Sequence, residues 1–283
     1  MKKKTLGVVR THTMIAPGIY DLWIKTELAT KAMTGQFVGV YTKDKSKILP
    51  RPISICEVSD DRTSLRLVYR VSGQGTGTEL ISMYQKGDSV ELLGVLGNGY
   101  SLEKIFGKDI LLEMKNPFLK EEAIGKVVLL GGGIGIPPML ELAKELKAHD
   151  INCTVIAGYR DSNLFLKEDF EKYSEFIVAT EDGSVGTKGN VLDALKNEGI
   201  VPKTVMACGP MPMLRAIKAY TEEMRQSGHQ VKAYISLEER MACGVGVCLG
   251  CVTKTSHKDE HSQVNNARIC TDGPVFDADD VLI

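Results

Sequence analysis

Four cysteines stand between positions 243 and 270, while the other three of the chain's seven, Cys56, Cys153 and Cys208, are scattered far upstream. Cys243, Cys248 and Cys251 are spaced Cys-x4-Cys-x2-Cys, and Cys270 follows after eighteen further residues. This is the plant-type 2Fe–2S pattern: a compact loop directs three thiolates at a small inorganic core, and a distant fourth closes the other side. Gly244, Gly246 and Gly250 suit that task, because a backbone wrapped round a cluster needs dihedrals and close approaches that a Cβ obstructs. Buried cysteines or a zinc site are the alternatives, but zinc knuckles usually come in pairs and here only one is present. A disulfide framework is a poor explanation for so uneven a distribution in 283 residues. Thr253 to Ala267 is expected as an exposed polar excursion. His257 and His261 stand four apart within it, but Lys258, Asp259 and Glu260 between them favour a solvated loop over a metal site.

The texture of the remaining chain changes near residue 101. Before it, short alternating runs at Tyr20–Lys25, Gln36–Tyr41, Ser64–Val71 and Ser89–Leu93, punctuated by Gly and Pro, predict an antiparallel barrel. After it, Val127–Leu130, Cys153–Ala157, Phe176–Ala179 and Val205–Ala207 read as strands. Helical patterns run from Pro137-Pro138 to Lys147, over Val191–Lys196 and over Met211–Met224. Such alternation implies βα units round a parallel sheet. The fold class is therefore α/β plus β, with domains at 1–101, 102–233 and 234–283.

No run approaches about 20 apolar residues, so no membrane span is expected. Lys2, Lys3 and Lys4 are not followed by a signal-peptide core, because Arg10, His12 and Thr13 interrupt it. Lys plus Arg is 35 against 36 for Asp plus Glu, which argues against a broad basic face for nucleic acid. A cytoplasmic chain is the expectation, where clustered cysteines more often bind metal.

Val127–Leu130 runs into Gly131, Gly132, Gly133, Ile134, Gly135, Ile136 and Pro137. A strand ending in a glycine turn that opens a helix is the geometry that receives a pyrophosphate, although Ile136 breaks the literal G-x-G-x-x-G. A tight turn without a ligand has the same appearance. Gly158-Tyr159-Arg160 and Cys208-Gly209-Pro210 follow later strands and would converge on the same edge. Cys208 reads as a small residue packed beside a bound ring, and Cys56 and Cys153 as core. In the first module Arg51 offers a fork suited to phosphate, Pro52 stiffens the turn, and Ser54 offers a hydroxyl. Val68, Tyr69 and Arg70 lie on a strand, before the loop Gly73 to Gly77.

The Arg-Pro-x-Ser motif, the Gly-Thr loop, the Gly-Gly-Gly-x-Gly-x-Pro-Pro turn and Cys-Gly-Pro resemble the ferredoxin–NADP+ reductase superfamily. With Glu239 to Gly244 and Cys270 to Phe276 added, the chain resembles, along essentially its whole length, the electron transfer subunits of dihydroorotate dehydrogenase B. The resemblance implies FAD at Arg51, Pro52, Ile53, Ser54, Val68, Tyr69, Arg70, Gly75 and Thr76. It implies a 2Fe–2S cluster on Cys243, Cys248, Cys251 and Cys270. NAD would lie over Gly131, Gly132, Gly133 and Gly135, with Cys208 and Gly209 near the nicotinamide. Arg160 suits the adenosine ribose or a phosphate, and the lack of a basic pair for a 2′-phosphate favours NADH. The stretch between Cys251 and Cys270 is longer than the resemblance leads one to expect, and Thr34 and Val95 stand where Pro is common.

The resemblance further implies oxidoreductase activity in pyrimidine biosynthesis. Electrons would pass from the FMN of a catalytic partner through the cluster and FAD to NAD+, in an assembly of two catalytic and two electron transfer chains. A small subunit of an NADH-dependent ferredoxin:NADP+ oxidoreductase or sulfide dehydrogenase shares this architecture, but three Cys and an Asp hold its cluster. A structural zinc scaffold is the alternative from outside the enzymes.

Overall fold

The computed structural model describes residues 3–259 and 263–283; Lys2 and His261 lie outside them. Six strands, β1 (Lys3–Ala16), β2 (Ile19–Lys25), β3 (Phe37–Val40), β4 (Arg51–Val58), β5 (Ser64–Arg70) and β6 (Ser89–Leu96), close into a barrel in the order β1-β2-β5-β4-β3-β6. Leu22, Ile24, Ile55, Leu65, Leu67 and Leu92 fill it and are fully buried. Arg51-Pro52-Ile53-Ser54, expected at the end of a strand, begins β4 instead. Arg10, His12 and Thr13, which break an apolar run in the sequence, sit inside the long strand β1, where one face is turned to solvent and polar residues belong. The loop Gly73 to Gly77 runs directly into a short helix, α1 (Gly77–Ser82), capped by Thr76.

After α2 (Leu102–Phe106) and α3 (Pro117–Ile124) comes a seven-stranded sheet. Its strands are β7 (Val127–Gly132), β8 (Cys153–Tyr159), β9 (Glu175–Thr180), β10 (Thr187–Lys188), β11 (Thr204–Cys208), β12 (Lys232–Ser236) and, later in the chain, β15 (Val275–Asp277). The order is β10-β9-β8-β7-β11-β12-β15, parallel except for β15. Every residue of β7 is buried. Val128 and Leu130 face the core beneath α6 (Val191–Asn197) and α7 (Met211–Gln226), while Val127 and Leu129 face that beneath α4 (Pro138–Ala148). This double burial is why β7 reads as a continuous apolar run. The helix α5 (Lys167–Phe170) follows β8. From β7 the chain proceeds to β8 and β9 on one side and returns to β11 on the other, so the sheet reverses direction between β7 and β11. Ligands of open parallel sheets lie outside the carboxyl ends of strands at such a point.

The last segment has no core of its own. Cys251, Ile269, Cys270, Ala278 and Val281 join the core formed with α7 and with the barrel residues Phe37, Leu93 and Leu96. Lys218 of α7 donates to the carbonyls of Ala278 (2.8 Å) and Val281 (2.6 Å). The polar excursion is anchored by a short antiparallel ladder of β13 (Val252–Lys254) and β14 (Asn266–Arg268). A half-buried charge network ties the barrel to the sheet domain. Arg66 of β5 meets Asp21 at 2.8 Å, Glu57 at 3.1 Å and Asp169 of α5 at 3.0 Å, and Lys144 of α4 reaches Glu57 at 3.4 Å.

Candidate functional site

β4 and β5 are paired only at one end, at Ile55↔Leu67, Glu57↔Arg66 and Val58↔Leu65. Beyond that point they part. Residues 51–54 pair with β3 on their far side, and residues 68–70 pair with β2. The two facing edges, which hold all seven strand residues expected to bind FAD, therefore carry main-chain groups that no ladder between them satisfies. A flat heteroaromatic ring with its own donors and acceptors would satisfy them.

Ile53, Val68 and Tyr69 are buried, their side chains packed into the core. The Tyr69 hydroxyl is engaged by His12 at 3.0 Å. His12 donates from Nδ1 to the Tyr84 carbonyl (2.8 Å), so in the neutral ring Nε2 accepts from Tyr69. Arg51 donates to the Leu49 carbonyl, and its guanidinium lies against Gly77, where an added Cβ would fall 2.1 Å from Nε. Gly77 closes the loop that the sequence marked, and its missing side chain leaves room for the Arg51 guanidinium. Thr76 Oγ1 donates to the Gly73 carbonyl at 2.7 Å, and the Gly75 N–H already holds a carboxylate oxygen of Glu79 at 2.5 Å. A loop N–H that takes an anionic oxygen suits a phosphate, and so does the Arg51 guanidinium against Gly77 at the end of the same loop. The barrel residues fit FAD.

Arg51 and Pro52 also line a cleft of about 770 Å³ whose opposite wall is Glu238 to Met241, the approach to Cys243. A second cleft, of about 330 Å³, lies at the carboxyl ends of β7, β8 and β11. Its lining includes Gly132, Gly133, Gly135, Arg160, Gly209 and Arg70 of the barrel. A Cβ at Gly135 would lie 2.3 Å from the Cys208 carbonyl oxygen, and one at Gly132 would lie 2.5 Å from Met213 Sδ. Glycine is thus required at 135 for the turn to approach the main chain of β11, whereas the Met213 thioether at Gly132 is a flexible chain end that can give; these turns fit a dinucleotide. Gly131 plays a different part, packing on Ile136 at the start of α4. Burial pushes the Cys208 thiol up to about 12, so it stays protonated. Glu238 borders both clefts, which brings the barrel edge, the glycine turns and the cysteine segment to one junction. Sequence reasoning missed Glu238 and Asn190 at the rim of the dinucleotide cleft. Asn190 was within reach, because Asn190 and Asp193 form a capping box at the start of α6.

The four cysteines form two pairs. Cys243 contacts Cys248, and Cys270 contacts Cys251. Burial opposes ionisation of Cys243, but the N–H groups of Val245 and Cys248, each 3.4 Å from its Sγ, outweigh it and bring the thiol down to about 6. Burial, reinforced by Cys251, pushes Cys270 up to about 12. Among the described residues no three His, Cys, Asp or Glu side chains converge as a single-ion site. With the Cys-x4-Cys-x2-Cys spacing and no convergent single-ion site among the described residues, the donor set fits 2Fe–2S better than one tetrahedral zinc. Cys251 and Cys270 are buried, Cys248 is exposed, and Val247 and Leu249 beside it are open to solvent.

The profile of the iron–sulfur cluster binding domain of dihydroorotate dehydrogenase B matches residues 238–282, and that of the oxidoreductase NAD-binding domain matches 129–219. The dihydroorotate dehydrogenase B (NAD(+)) electron transfer subunit of Geobacillus sp. (strain WCH70) is 35% identical over 286 aligned positions, covering 100% of both chains. The chain belongs to this family of electron transfer subunits. The Fusobacterium nucleatum member of the family is 37% identical, with 97% of each chain covered. Among solved structures, an NADH-dependent reduced ferredoxin–NADP oxidoreductase superposes with a TM-score of 0.79 at 26% identity, covering 98% of this chain and 90% of that one. A ferredoxin–NADP+ reductase from Neisseria gonorrhoeae gives 0.63 at 18%, covering 78% and 92%, and shares the fold. No helix among the described residues is long and apolar enough to cross a membrane.

Proposed function

We propose that this chain is the electron transfer subunit of an NAD-dependent dihydroorotate dehydrogenase, acting in the cytoplasm in pyrimidine biosynthesis. It holds FAD between β4 and β5, NAD over the glycine turns, and a 2Fe–2S cluster on Cys243, Cys248, Cys251 and Cys270. When bound, the flavin supplies the exchange between two-electron hydride chemistry at NAD and one-electron chemistry at the cluster. The protein's work is placement. Arg51 and the Gly75–Thr76 loop hold a pyrophosphate, the glycine turns let a dinucleotide approach the sheet, and burial of Cys251 and Cys270 keeps water from one side of the cluster.

The single observation that carries this reading is the junction at Glu238, where the clefts of the barrel and of the sheet both meet the segment leading to Cys243. Dihydroorotate oxidation needs a base and a flavin of its own, and both belong to a catalytic FMN subunit in a two-plus-two assembly. The exposed side at Cys248, Val247 and Leu249 suits that partner. The natural divisions are 1–101 for the flavin barrel, 102–233 for the NAD domain and 234–283 for the cluster module.

Co-purification with a candidate catalytic subunit is the test. Flavin, iron and sulfide content and NADH-linked orotate reduction are measured with and without that subunit. The expected result is both flavins, two irons per chain pair and activity only in the complex. Zinc in place of iron, or no activity with an authentic catalytic subunit, would overturn the reading.

A further inference from the structure

The loop that carries Cys270 is shut by a polar clamp. The Asp272 carboxylate accepts from the Arg268 main-chain N–H at 2.7 Å, from Arg268 Nε at 3.1 Å and Nη2 at 3.2 Å, and from Thr271 Oγ1 at 3.1 Å. The Arg268 carbonyl in turn receives the N–H groups of Thr271 (3.1 Å) and Asp272 (2.7 Å). Five residues are thereby folded into a knot with Cys270, fully buried, at its centre. On one side Ile269 N–H donates to the Cys251 carbonyl at 2.9 Å, which fixes the last two cysteines relative to each other. On the other side the knot presses on the three-cysteine loop. A Cβ at Gly246 would lie 2.8 Å from Thr271 Cγ2 and 3.6 Å from Arg268 Nη1. The guanidinium therefore stands against the turn between Cys243 and Cys248, held there by a bidentate carboxylate.

We propose that Arg268, clamped by Asp272, is a positioning residue of the iron–sulfur site, which locks the Cys270 loop onto the Gly246 turn and presents a fixed positive charge there. The inference rests on the four cysteines holding a cluster, as proposed above. An arginine stays charged at any working pH, and a cation near a centre that gains an electron favours its reduced form. Without Arg268, Asp272 would be left as an unneutralised negative charge beside the same loop, which disfavours reduction.

The test uses the full chain in complex with its catalytic partner, as R268Q and R268K. Iron, sulfide and FAD content are measured, together with the reduced-to-oxidised ratio of the cluster by electron paramagnetic resonance at fixed ambient potential. The rate of iron loss to a chelator is also followed. R268Q is expected to lower the ratio about tenfold, which is about 59 mV for a one-electron couple, and to speed iron loss. R268K is expected to restore the ratio but not the resistance to chelator, because an ammonium cannot span both carboxylate oxygens. R268Q that keeps FAD but takes up no iron supports the positioning role equally. An unchanged or raised ratio in R268Q overturns it, and so does loss of FAD together with iron, which marks general misfolding. Absence of iron and sulfide from the unsubstituted complex sinks the cofactor assignment instead.

Discussion

Alanine at Gly135 tests whether the glycine turn and the end of β11 must touch. Its Cβ would lie 2.3 Å from the Cys208 carbonyl oxygen, 2.5 Å from that carbonyl carbon and 2.6 Å from the Gly209 nitrogen. All three are main-chain atoms at the end of a strand paired along its length with β7, so no side chain can rotate away. Gly135 does not have left-handed backbone, so the penalty is the collision alone. Relief needs a movement of roughly 1 Å to reach ordinary contact distance. Overpacking of this kind costs about 1–3 kcal/mol, and three main-chain contacts put G135A at about 3 kcal/mol, a fall in Tm of roughly 5 °C for a chain of 283 residues. Gly133 in the same turn is the control. It has φ +52° and nothing within 4 Å of an added Cβ, so G133A meets only the left-handed penalty of about 1–2 kcal/mol. Thermal unfolding and NADH titration compare the two, and G135A is also expected to weaken NADH binding at least about tenfold. G135A as stable as G133A, with unchanged NADH affinity, would refute the close approach as the reason for glycine.

Thr34 Oγ1 is buried without a hydrogen-bond partner among the described residues, so T34V, which keeps the shape, should raise stability by about 1 kcal/mol in denaturant unfolding. Arg66→Met leaves Asp21 without its cation, while Asp169 keeps Lys172 at 2.7 Å, and should cost about 1–3 kcal/mol for this half-buried network; a loss within about 0.5 kcal/mol, the range of an ordinary surface change, would show the network to be unimportant. Burial, and then the neighbouring Glu141, raise Glu145 from 4.5 to about 7. The folded state therefore binds the extra proton between those values. Its contribution to stability is full below about pH 4.5 and lost as pH rises through about 7. The stability difference between the unsubstituted chain and E145Q should fall across that window, and a flat difference would refute the assignment.

The gathering of the cysteines and the glycine turns were legible in the sequence because their geometry is local. Cys243, Cys248 and Cys251 share one loop, and Gly131 to Gly135 follow their strand directly. The central strands of the sheet were legible too, since β7 is buried on both faces and shows it as unbroken apolar residues. The parting of β4 from β5 was not, because it depends on which distant strand each residue pairs with. For the same reason the inward direction of Ile53 and Tyr69 could not be read from their motifs. Strand β1 was hidden because register shifts at Val9/Thr11 and Met14/Ala16 break its alternation, and β15 by being three residues long. The Arg268–Asp272 clamp carries an ordinary spacing of four and acquires meaning only when Gly246 is seen pressed against it.

Just past Cys270 the cysteine segment is fastened to two different neighbours. Asn98, just past β6, donates its N–H to the Gly273 carbonyl at 2.6 Å and its side-chain amide to the Thr271 carbonyl at 2.9 Å, while β15 extends the sheet beside β12. Electron tunnelling falls steeply with distance, and a carrier on a swinging arm delivers current only in the brief moments when it is near. This segment is no such arm. Its spacing from the barrel and from the sheet is built into strands and their ladders, so the gap inside the chain is constant and the only variable gap is to the molecule that docks outside.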